Sequence, residues 1–268
     1  MPEGPEVKRI ALDLSECTTG RYLQTVIVIS GRYLKKKIDG YEKLIEGLPA
    51  RVVGVGCHGK FLYLLMSNGV NIWSTLGMTG RWADRQSKYS RVRLEFKCGT
   101  CVYFDDIRNF GTLKFVYGPN LLQERLEKFG PDMLSEDVSP LRFISCLRKK
   151  DKWNITKAVM DQTIIAGVGN YIKAESLWLA DINPHSTVKD LTDGELMLLN
   201  EAIKEVMRAS YSSGGATFLT HKNFSDEKGD YSSRFLCYNR KQDAEGNRVI
   251  KTKTPDGRTT HWAPDKQK

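Results

Sequence analysis

The chain has 268 residues, enough to bury a substantial core, and this length favours one large domain or two small ones. It carries 41 basic and 32 acidic residues, so a polyanionic partner is favoured, nucleic acid before membrane. A basic protein without such a partner is the alternative. No segment approaches the roughly 20 consecutive apolar residues that span a bilayer, and the opening residues lack the apolar run of a secretory signal. Six cysteines are too few for a disulfide scaffold at this length, so we expect an intracellular protein.

The first 120 residues are predicted to be mostly β-structure behind one leading helix. The helix is predicted at residues 5–17, where Val7, Ile10 and Leu14 recur at helical spacing. Asn68-Gly69 predicts a two-residue hairpin turn between two of the strands. The predicted strands lie at residues 21–30, 51–55, 61–65, 70–74, 91–96 and 102–104. This pattern indicates an α+β protein with a β-sandwich or barrel rather than a parallel α/β fold.

From residue 121 onward the pattern becomes helical. The predicted helices lie at residues 121–129, 141–149, 155–165 and 171–179. A further helix begins at Thr192 and Glu195, which match a capping box. One face of that helix is apolar, with Leu196, Leu199, Ile203 and Val206. Residues 221–233 are polar and contain glycine, which predicts a mobile loop.

The C-terminal tail is predicted to be a basic hairpin. Residues 234–268 contain nine basic and four acidic residues. A strand at 248–253 leads into a Pro255-Asp256-Gly257 turn, and a second strand follows at 258–262. We therefore expect three domains, at residues 1–120, 121–233 and 234–268.

Pro2 is the first candidate for chemistry. Initiator methionine is readily removed before a small residue such as proline, and removal would leave a free secondary amine. An α-amine has a pKa of about 8 against about 10.4 for lysine, so more of it is unprotonated at neutral pH. Its attack on an aldehyde-level carbon gives an iminium, and Glu3 and Glu6 stand beside it as proton donors. The alternative is a rigid entry to the first helix, where proline and acidic residues are favoured.

The second candidate is the stretch from Asp161 to Tyr171, which contains Gly167-Val168-Gly169-Asn170. Two glycines between helices permit a tight turn whose free amides can bind a phosphate, and the Asn170 side chain adds a donor. Taken alone, the pattern also fits a plain helix hairpin.

Five stretches of this chain occur in the order and spacing of one known family. They are Pro2-Glu3-Gly4-Pro5-Glu6-Val7, Gly59-Lys60, Leu76-Gly77-Met78-Thr79-Gly80, Asp106-Ile107-Arg108-Asn109-Phe110-Gly111 and the Gly-Val-Gly-Asn block. The chain resembles the formamidopyrimidine-DNA glycosylase and endonuclease VIII family from its first residue to its C-terminal hairpin. The resemblance implies an N-terminal β-sandwich and a C-terminal helix–two-turn–helix domain with a hairpin finger, with DNA in the cleft between them.

The resemblance also implies the catalytic residues of a bifunctional glycosylase and AP lyase. Pro2 would attack C1′ of the damaged nucleotide, Glu3 would open the sugar ring and shuttle protons, and Glu6 would support it. Lys60 would bind a phosphate close to the lesion, the alternative being a solvated turn lysine. The finger arginine, Arg258, completes this predicted set.

Further residues are implied to bind the DNA. The nucleotide has to be flipped out of the helix because its glycosidic bond is shielded inside the base stack. Asn170 and Arg258 would clamp the phosphates on either side of the flipped nucleotide. Met78, Arg108 and Phe110 would form a wedge that fills the void left by the extruded base.

Two additional positions have weaker support. By resemblance, Lys157 and Tyr89 lie at or near positions that contact DNA phosphates, and ordinary surface roles are the alternative. For Met78 and Phe110, the alternative to the wedge is burial in the core.

The tail departs from those family members that end in a four-cysteine zinc finger. It contains Cys237 alone, and His261 cannot complete a four-ligand set. Cys98 and Cys101 form one CxxC pair at a predicted turn, read as free thiols rather than half of a zinc site. The hairpin with Arg258 resembles the zincless finger of endonuclease VIII-like 1 glycosylases. We therefore expect neither a metal nor another cofactor. By the same resemblance, the expected substrates are oxidised pyrimidines, hydantoins and formamidopyrimidines.

The expected partner is double-stranded DNA that contains oxidised bases or abasic sites, with single-stranded or bubble DNA as a further candidate. The protein is expected to be a monomer that acts at the DNA inside the cell, without a membrane partner. A catalytically silent binder of damaged DNA with the same fold is the main rival. A ribosome- or tRNA-binding protein would share the charge but has no need of the N-terminal motif.

Overall fold

The computed structural model describes residues 2–216, 224 and 229–268, which form two compact units. One unit comprises Pro2, Glu6–Glu127 and the described residues between Gly214 and Asp230. The other comprises Glu3–Pro5, Lys128–Ser213 and Tyr231–Lys268. The division into three domains stays a prediction, and its bounds differ from these units, since the hairpin groups with the helices. Within the described residues, no helix is long and apolar enough to cross a membrane.

The first unit is built around antiparallel strands. The elements in chain order are α1 (Gly4–Thr18), β1 (Tyr22–Val28), α2 (Tyr41–Glu46), β2 (Ala50–His58), β3 (Phe61–Met66), β4 (Val70–Thr75), β5 (Gly80–Ala83), β6 (Ser90–Phe96), β7 (Cys101–Asp106), β8 (Thr112–Tyr117) and α3 (Leu121–Leu126). The strand order is β5-β7-β6-β1-β2-β3-β4-β8. Pairing between β1 and β2 is limited to Tyr22 with Arg51 and Leu23 with Ala50, so the sheet divides there into two four-stranded halves.

Both halves of the sheet contribute to one buried core. The cluster includes Leu14 of α1, Val26 and Leu94 from one half, and Leu62 and Ile72 from the other. Strand β6 shows the underlying pattern, because its burial alternates strictly from residue to residue. The predicted β-sandwich with a leading helix is confirmed.

The second unit contains four helices and a hairpin. These are α4 (Pro140–Arg148), α5 (Ile155–Met160), α6 (Asn170–Leu179), α7 (Asp193–Ser212), β9 (Ile250–Lys253) and β10 (Thr259–Trp262). The predicted capping box of Thr192 and Glu195 starts α7. Helix α5 is shorter than predicted because the Asp161 carboxylate accepts hydrogen bonds from the amide (2.8 Å) and hydroxyl (2.7 Å) of Thr163, which ends the helix.

The predicted C-terminal hairpin is present, with β9 paired antiparallel to β10. The Gly257 amide donates to the Thr254 carbonyl (2.9 Å), and Gly257 has a φ of 74°, which favours glycine. The hairpin thus closes with a hydrogen-bonded β-turn that ends at a left-handed glycine. Of the loop predicted at 221–233, residues 221–223 and 225–228 lie outside the described residues. Its last part was wrongly predicted as loop, because Tyr231–Arg234 forms a 3₁₀ turn with Tyr231 buried.

Candidate active site and nucleic-acid interface

Glu3 lies at the N-terminus of α6. Its two carboxylate oxygens accept hydrogen bonds from the amides of Tyr171 (2.9 Å) and Ile172 (3.2 Å), and Glu3 is only 2% exposed. The first amides of a helix lack intrahelical partners and lie at its positive end, so both features favour the ionised carboxylate. The helix therefore holds Glu3 in one orientation.

The N-terminal motif and the Gly-Val-Gly-Asn block, found separately in the sequence, are in direct contact. The amide of Gly4 donates to the carbonyl of Gly167 (2.9 Å). A Cβ atom on Gly169 would overlap the side chain of Glu3, and one on Gly4 would lie 2.7 Å from Cε of Met207. Glycine is thus required at position 169 so that Glu3 can reach the start of α6, whereas a Cβ at position 4 would chiefly need a shift of the flexible end of Met207.

The structure brings the two predicted phosphate ligands of the second unit together. The Asn170 side chain donates to the carbonyl of Thr259 (3.1 Å), the residue that follows Arg258. Arg258 itself is exposed beside the hairpin turn. The start of α6 and the finger hairpin are therefore joined directly, and one donor of Asn170 is already used for that junction.

The remaining predicted catalytic residues belong to the first unit. Pro2 is buried. Glu6 is also buried, and its carboxylate accepts a hydrogen bond from the amide of Ala216 (2.7 Å), so it anchors the segment that follows α7. Lys60 is partly exposed in the two-residue turn between β2 and β3, beside Gly59 with its φ of 53°.

Met78, Arg108 and Phe110 come together at the surface of the first unit. Arg108 donates to the sulfur of Met78 (3.2 Å), and its guanidinium carbon lies 4.7 Å from the centroid of the Phe110 ring. Phe110 is 53% exposed, so the alternative of a core role is wrong for this residue. An exposed aromatic ring stacked on a guanidinium is suited to insertion into a base stack.

Asp106 braces this wedge, a role that sequence analysis did not predict. It is 1% exposed and accepts hydrogen bonds from the Thr79 hydroxyl (2.6 Å) and from the amides of Arg108 (3.2 Å) and Gly111 (2.7 Å). These bonds tie both loops of the wedge to the end of β7. Asn109, which lies between Arg108 and Phe110 in the chain, has a left-handed backbone with a φ of 56°.

Lys157 and Tyr89 are both accessible. Lys157 lies on α5, and its ammonium is 4.0 Å from the centroid of the Trp153 ring. The exposed Lys88 lies over the Tyr89 ring at 5.1 Å. Phosphate contact by either residue stays a prediction.

Two buried charges in α6 were missed by sequence reasoning. Glu175 accepts hydrogen bonds from the amides of Leu236 (2.6 Å), Cys237 (2.9 Å) and Tyr238 (2.6 Å). Burial raises the pKa of Glu175, and these three bonds oppose the rise. Lys173 is the second buried charged residue of α6. The signal that could have identified them is a Lys and a Glu within an otherwise apolar helix, since buried charges require partners.

The described residues contain no group of three or more His, Cys, Asp or Glu side chains placed to hold a metal. Cys98 and Cys101 are free thiols at an exposed turn. Burial raises the pKa of the Cys237 thiol to about 12, so it stays protonated and is a poor metal ligand.

His261 lies in β10, the second strand of the C-terminal hairpin. It is buried, and its ring packs edge-on against Tyr238 with the centroids 4.7 Å apart. Among the described residues, neither of its ring nitrogens has a hydrogen-bond partner. Burial, together with the charges of Lys251 and Lys173, lowers the pKa of His261 from 6.5 to about 4.

This shift predicts a pH dependence of stability. The unfolded chain binds a proton at His261 near pH 6.5 and the folded protein only near pH 4, so the unfolded state holds more protons between these values. The free energy of unfolding should therefore fall as the pH drops from about 6.5 to about 4. Urea midpoints across this range would measure the slope, with His261→Phe as the comparison because it keeps a ring without a titrating group. An equal slope in both proteins would contradict the assignment.

Comparison with known proteins shows similarity to one family over the whole length of the chain. The family model "Formamidopyrimidine-DNA glycosylase N-terminal domain" matches residues 1–113, and the model "Formamidopyrimidine-DNA glycosylase H2TH domain" matches residues 129–222. Formamidopyrimidine-DNA glycosylase of Halalkalibacterium halodurans is 31% identical over 279 residues, covering 100% of both chains. The enzyme of the same name from Listeria monocytogenes serotype 4b is 29% identical, also with 100% coverage of both.

Solved structures agree. A mutant of Lactococcus lactis Fpg in complex with DNA containing Fapy-dG has a TM-score of 0.88 at 26% identity, with 100% of both chains covered. MutM (Fpg) from Thermus thermophilus has a TM-score of 0.87 at 27% identity, covering 99% of this chain and 98% of the other. The family models cover more than half of the residues, and the similarity extends over the full length. The chain belongs to the formamidopyrimidine-DNA glycosylase family.

Proposed function

We propose that this protein is a DNA glycosylase and AP lyase of base excision repair that acts on oxidised bases in double-stranded DNA. The observation that carries the proposal is the contact between the N-terminal motif and the Gly-Val-Gly-Asn block. That contact holds the Glu3 carboxylate, next in sequence to Pro2, on the first amides of α6 (2.9 and 3.2 Å). A protein that only binds DNA has no need of a carboxylate fixed beside an N-terminal imino acid.

The substrate class is supported by what related proteins bind. Solved relatives are in complex with DNA containing Fapy-dG, carbocyclic 8-oxo-G or an oxidised pyrimidine. Oxidised bases and abasic sites in DNA are therefore the proposed substrates here, and the enzyme would act wherever the DNA is. A preference for pyrimidines and hydantoins, and the zincless endonuclease VIII-like 1 subtype, stay predictions from the hairpin alone.

In the proposed mechanism, removal of Met1 frees the secondary amine of Pro2. The amine attacks C1′, the base leaves with the electron pair of its bond to C1′ and takes a proton from water, and the proton lost by the amine passes to Glu3. Glu3 gives that proton to the ring oxygen O4′, which opens the sugar and leaves an iminium between Pro2 and C1′. Loss of a C2′ proton expels the 3′ phosphate, and a second elimination expels the 5′ phosphate.

The other predicted residues would hold the DNA for this reaction. Lys60, Asn170 and Arg258 would bind phosphates around the extruded nucleotide, with Lys157 and Tyr89 as further phosphate contacts. The wedge of Met78, Arg108 and Phe110 would occupy the space of the extruded base, where an apolar or planar group offsets lost stacking. Glu6 would support the site by anchoring the segment at Ala216.

An incision assay separates this proposal from the rival of a silent DNA binder. A labelled duplex with one oxidised base should lose that base and be cut to a one-nucleotide gap with phosphate at both ends, the product of β,δ-elimination. Duplexes carrying a formamidopyrimidine, a hydantoin or an oxidised pyrimidine would rank the substrates. Tight binding to every duplex without any incision would support the silent binder and contradict the enzyme.

Arg258→Ala tests the proposed clamp. Loss of a charged hydrogen bond to phosphate should weaken binding to an abasic-site duplex by about 1–3 kcal/mol and lower the salt slope by about one unit. Lys251→Ala is the matched control, because Lys251 is an exposed cation on the neighbouring strand of the same hairpin. If both variants bind like the parent at physiological salt, Arg258 is an ordinary surface charge.

A further inference from the structure

A buried ion pair connects α6 to the turn of the finger hairpin. The ammonium of Lys173 donates to the carboxylate of Asp256 at 2.6 Å, and the two side chains are 0% and 2% exposed. Asp256 is the middle residue of the Pro255-Asp256-Gly257 turn, and Arg258 is the residue that follows this turn. Burying two charges is costly, and a pair of apolar side chains at such a site is often as stable. Stability alone therefore does not explain the pair.

Asp256 is also bonded within the turn. Its other carboxylate oxygen accepts hydrogen bonds from the hydroxyl of Thr254 (2.5 Å) and from the amide of Arg258 (3.3 Å). The Thr254 hydroxyl also forms a hydrogen bond with the hydroxyl of Thr260 (2.7 Å), next to the turn. One carboxylate thus shapes the turn with one oxygen and attaches it to α6 with the other.

The position of Lys173 on α6 gives the pair its geometric effect. Asn170 and Lys173 are three residues apart, so they share a face of the helix. Asn170 holds Thr259, the residue after Arg258, and Lys173 holds Asp256, two residues before it. Arg258 is therefore fixed on both sides to one rigid helix, the same helix that holds Glu3.

The charge of Lys173 depends on its partner. Burial lowers the pKa of Lys173, and the principal opposing influences are the charge of Asp256 and its hydrogen bond, followed by the charge of Glu3. Neutralising Asp256 would therefore favour loss of the proton from Lys173 and weaken the link from both ends.

We propose that Lys173 is a positioning residue that, through Asp256, aims Arg258 at a DNA phosphate. This role rests on the proposed function of Arg258. Lys173 does not touch DNA, and its contribution to binding passes through the Arg258 guanidinium. The link supplies the hairpin with a fixed attachment to the helix that carries the proposed proton donor.

The test is a double-mutant cycle on the full-length protein, with Lys173→Met, Arg258→Ala and the combination of both. Binding to a duplex with a tetrahydrofuran abasic analogue is measured over a series of salt concentrations. Lys173→Met should raise Kd by about tenfold, as expected when one charged hydrogen bond to phosphate is weakened. The combined variant should bind no more weakly than Arg258→Ala, because a residue that acts only through Arg258 has nothing further to lose.

Lys204→Met is the matched control. Lys204 is also a largely buried lysine of the second unit, paired with Glu201 at 3.3 Å, but it lies on α7. It should change melting temperature without changing the salt slope of binding. A general loss of stability by lysine removal would move both variants alike and would overturn the proposal.

A further variant covers the case in which Lys173→Met alone does not fold. Lys173→Met with Asp256→Asn removes both charges but keeps an oxygen to accept from Thr254 and Arg258, so the turn should persist while its link to α6 is lost. This variant should fold and bind about tenfold more weakly. Parent-like binding here, or additive losses in the cycle, would overturn the positioning role while leaving that of Arg258 intact. Parent-like binding by Arg258→Ala would overturn both.

Discussion

Replacing Glu3 by glutamine is expected to lower glycosylase turnover by roughly 10²-fold or more while leaving affinity for an abasic-site analogue near that of the parent. The amide has nearly the same size and keeps an oxygen for the amide of Tyr171, which lies 2.9 Å from the carboxylate in the parent. Glutamine cannot accept the proton that the Pro2 amine loses, and it cannot give a proton to O4′. Single-turnover excision and equilibrium binding, measured on the same preparation, separate the two effects.

Glu175→Gln is the matched control for this experiment. It makes the same substitution at another buried carboxylate that accepts backbone amides of the second unit. We expect it to lower the melting temperature, because an amide nitrogen would face amide donors, without a selective loss of rate in the folded protein. If Glu3→Gln loses affinity and rate in parallel, as a structural residue would, the proton-transfer role is wrong.

The second large effect is expected at Pro2. A short N-terminal extension converts its amine into a peptide nitrogen, which is not a nucleophile, so strand cleavage at an abasic site should fall below detection. Pro2→Gly leaves a primary amine and should retain reduced cleavage. The measurement is the rate of strand scission on a duplex with a natural abasic site.

Binding of the tetrahydrofuran duplex by the extended protein provides the control, since that analogue offers no aldehyde-level carbon. The extension should leave this affinity within a few-fold of the parent. Full cleavage activity from an extended N-terminus would assign the chemistry to another amine.

The features that could be predicted from sequence depend on neighbours in the chain. The alternating burial of β6, the Asn68-Gly69 turn, the capping box of α7 and the finger hairpin all arise from residues a few positions apart. Strands β5 and β8 were missed. The first is four residues long and starts at a glycine, and the second directly follows the wedge motif, whose glycine and polar residues suggested only a loop.

The features that could not be predicted join residues far apart in sequence. Glu3 and Tyr171 are separated by 168 positions, and Lys173 and Asp256 by 83. A family motif indicated that Glu3 matters, but not that it caps α6, and no periodicity pairs a lysine with one particular aspartate. The hydrogen bond between Asp106 and Thr79 was missed for the same reason, since 27 positions separate the two residues.

In the proposed mechanism, the Pro2 nitrogen forms the covalent intermediate. Borohydride reduction during turnover on a lesion duplex would fix that intermediate, and trypsin with mass spectrometry would locate it. We expect the sugar remnant on the peptide from Pro2 to Lys8, attached to its N-terminal nitrogen. A remnant attached to a lysine, Lys60 included, with the Pro2 peptide unmodified, would contradict this mechanism.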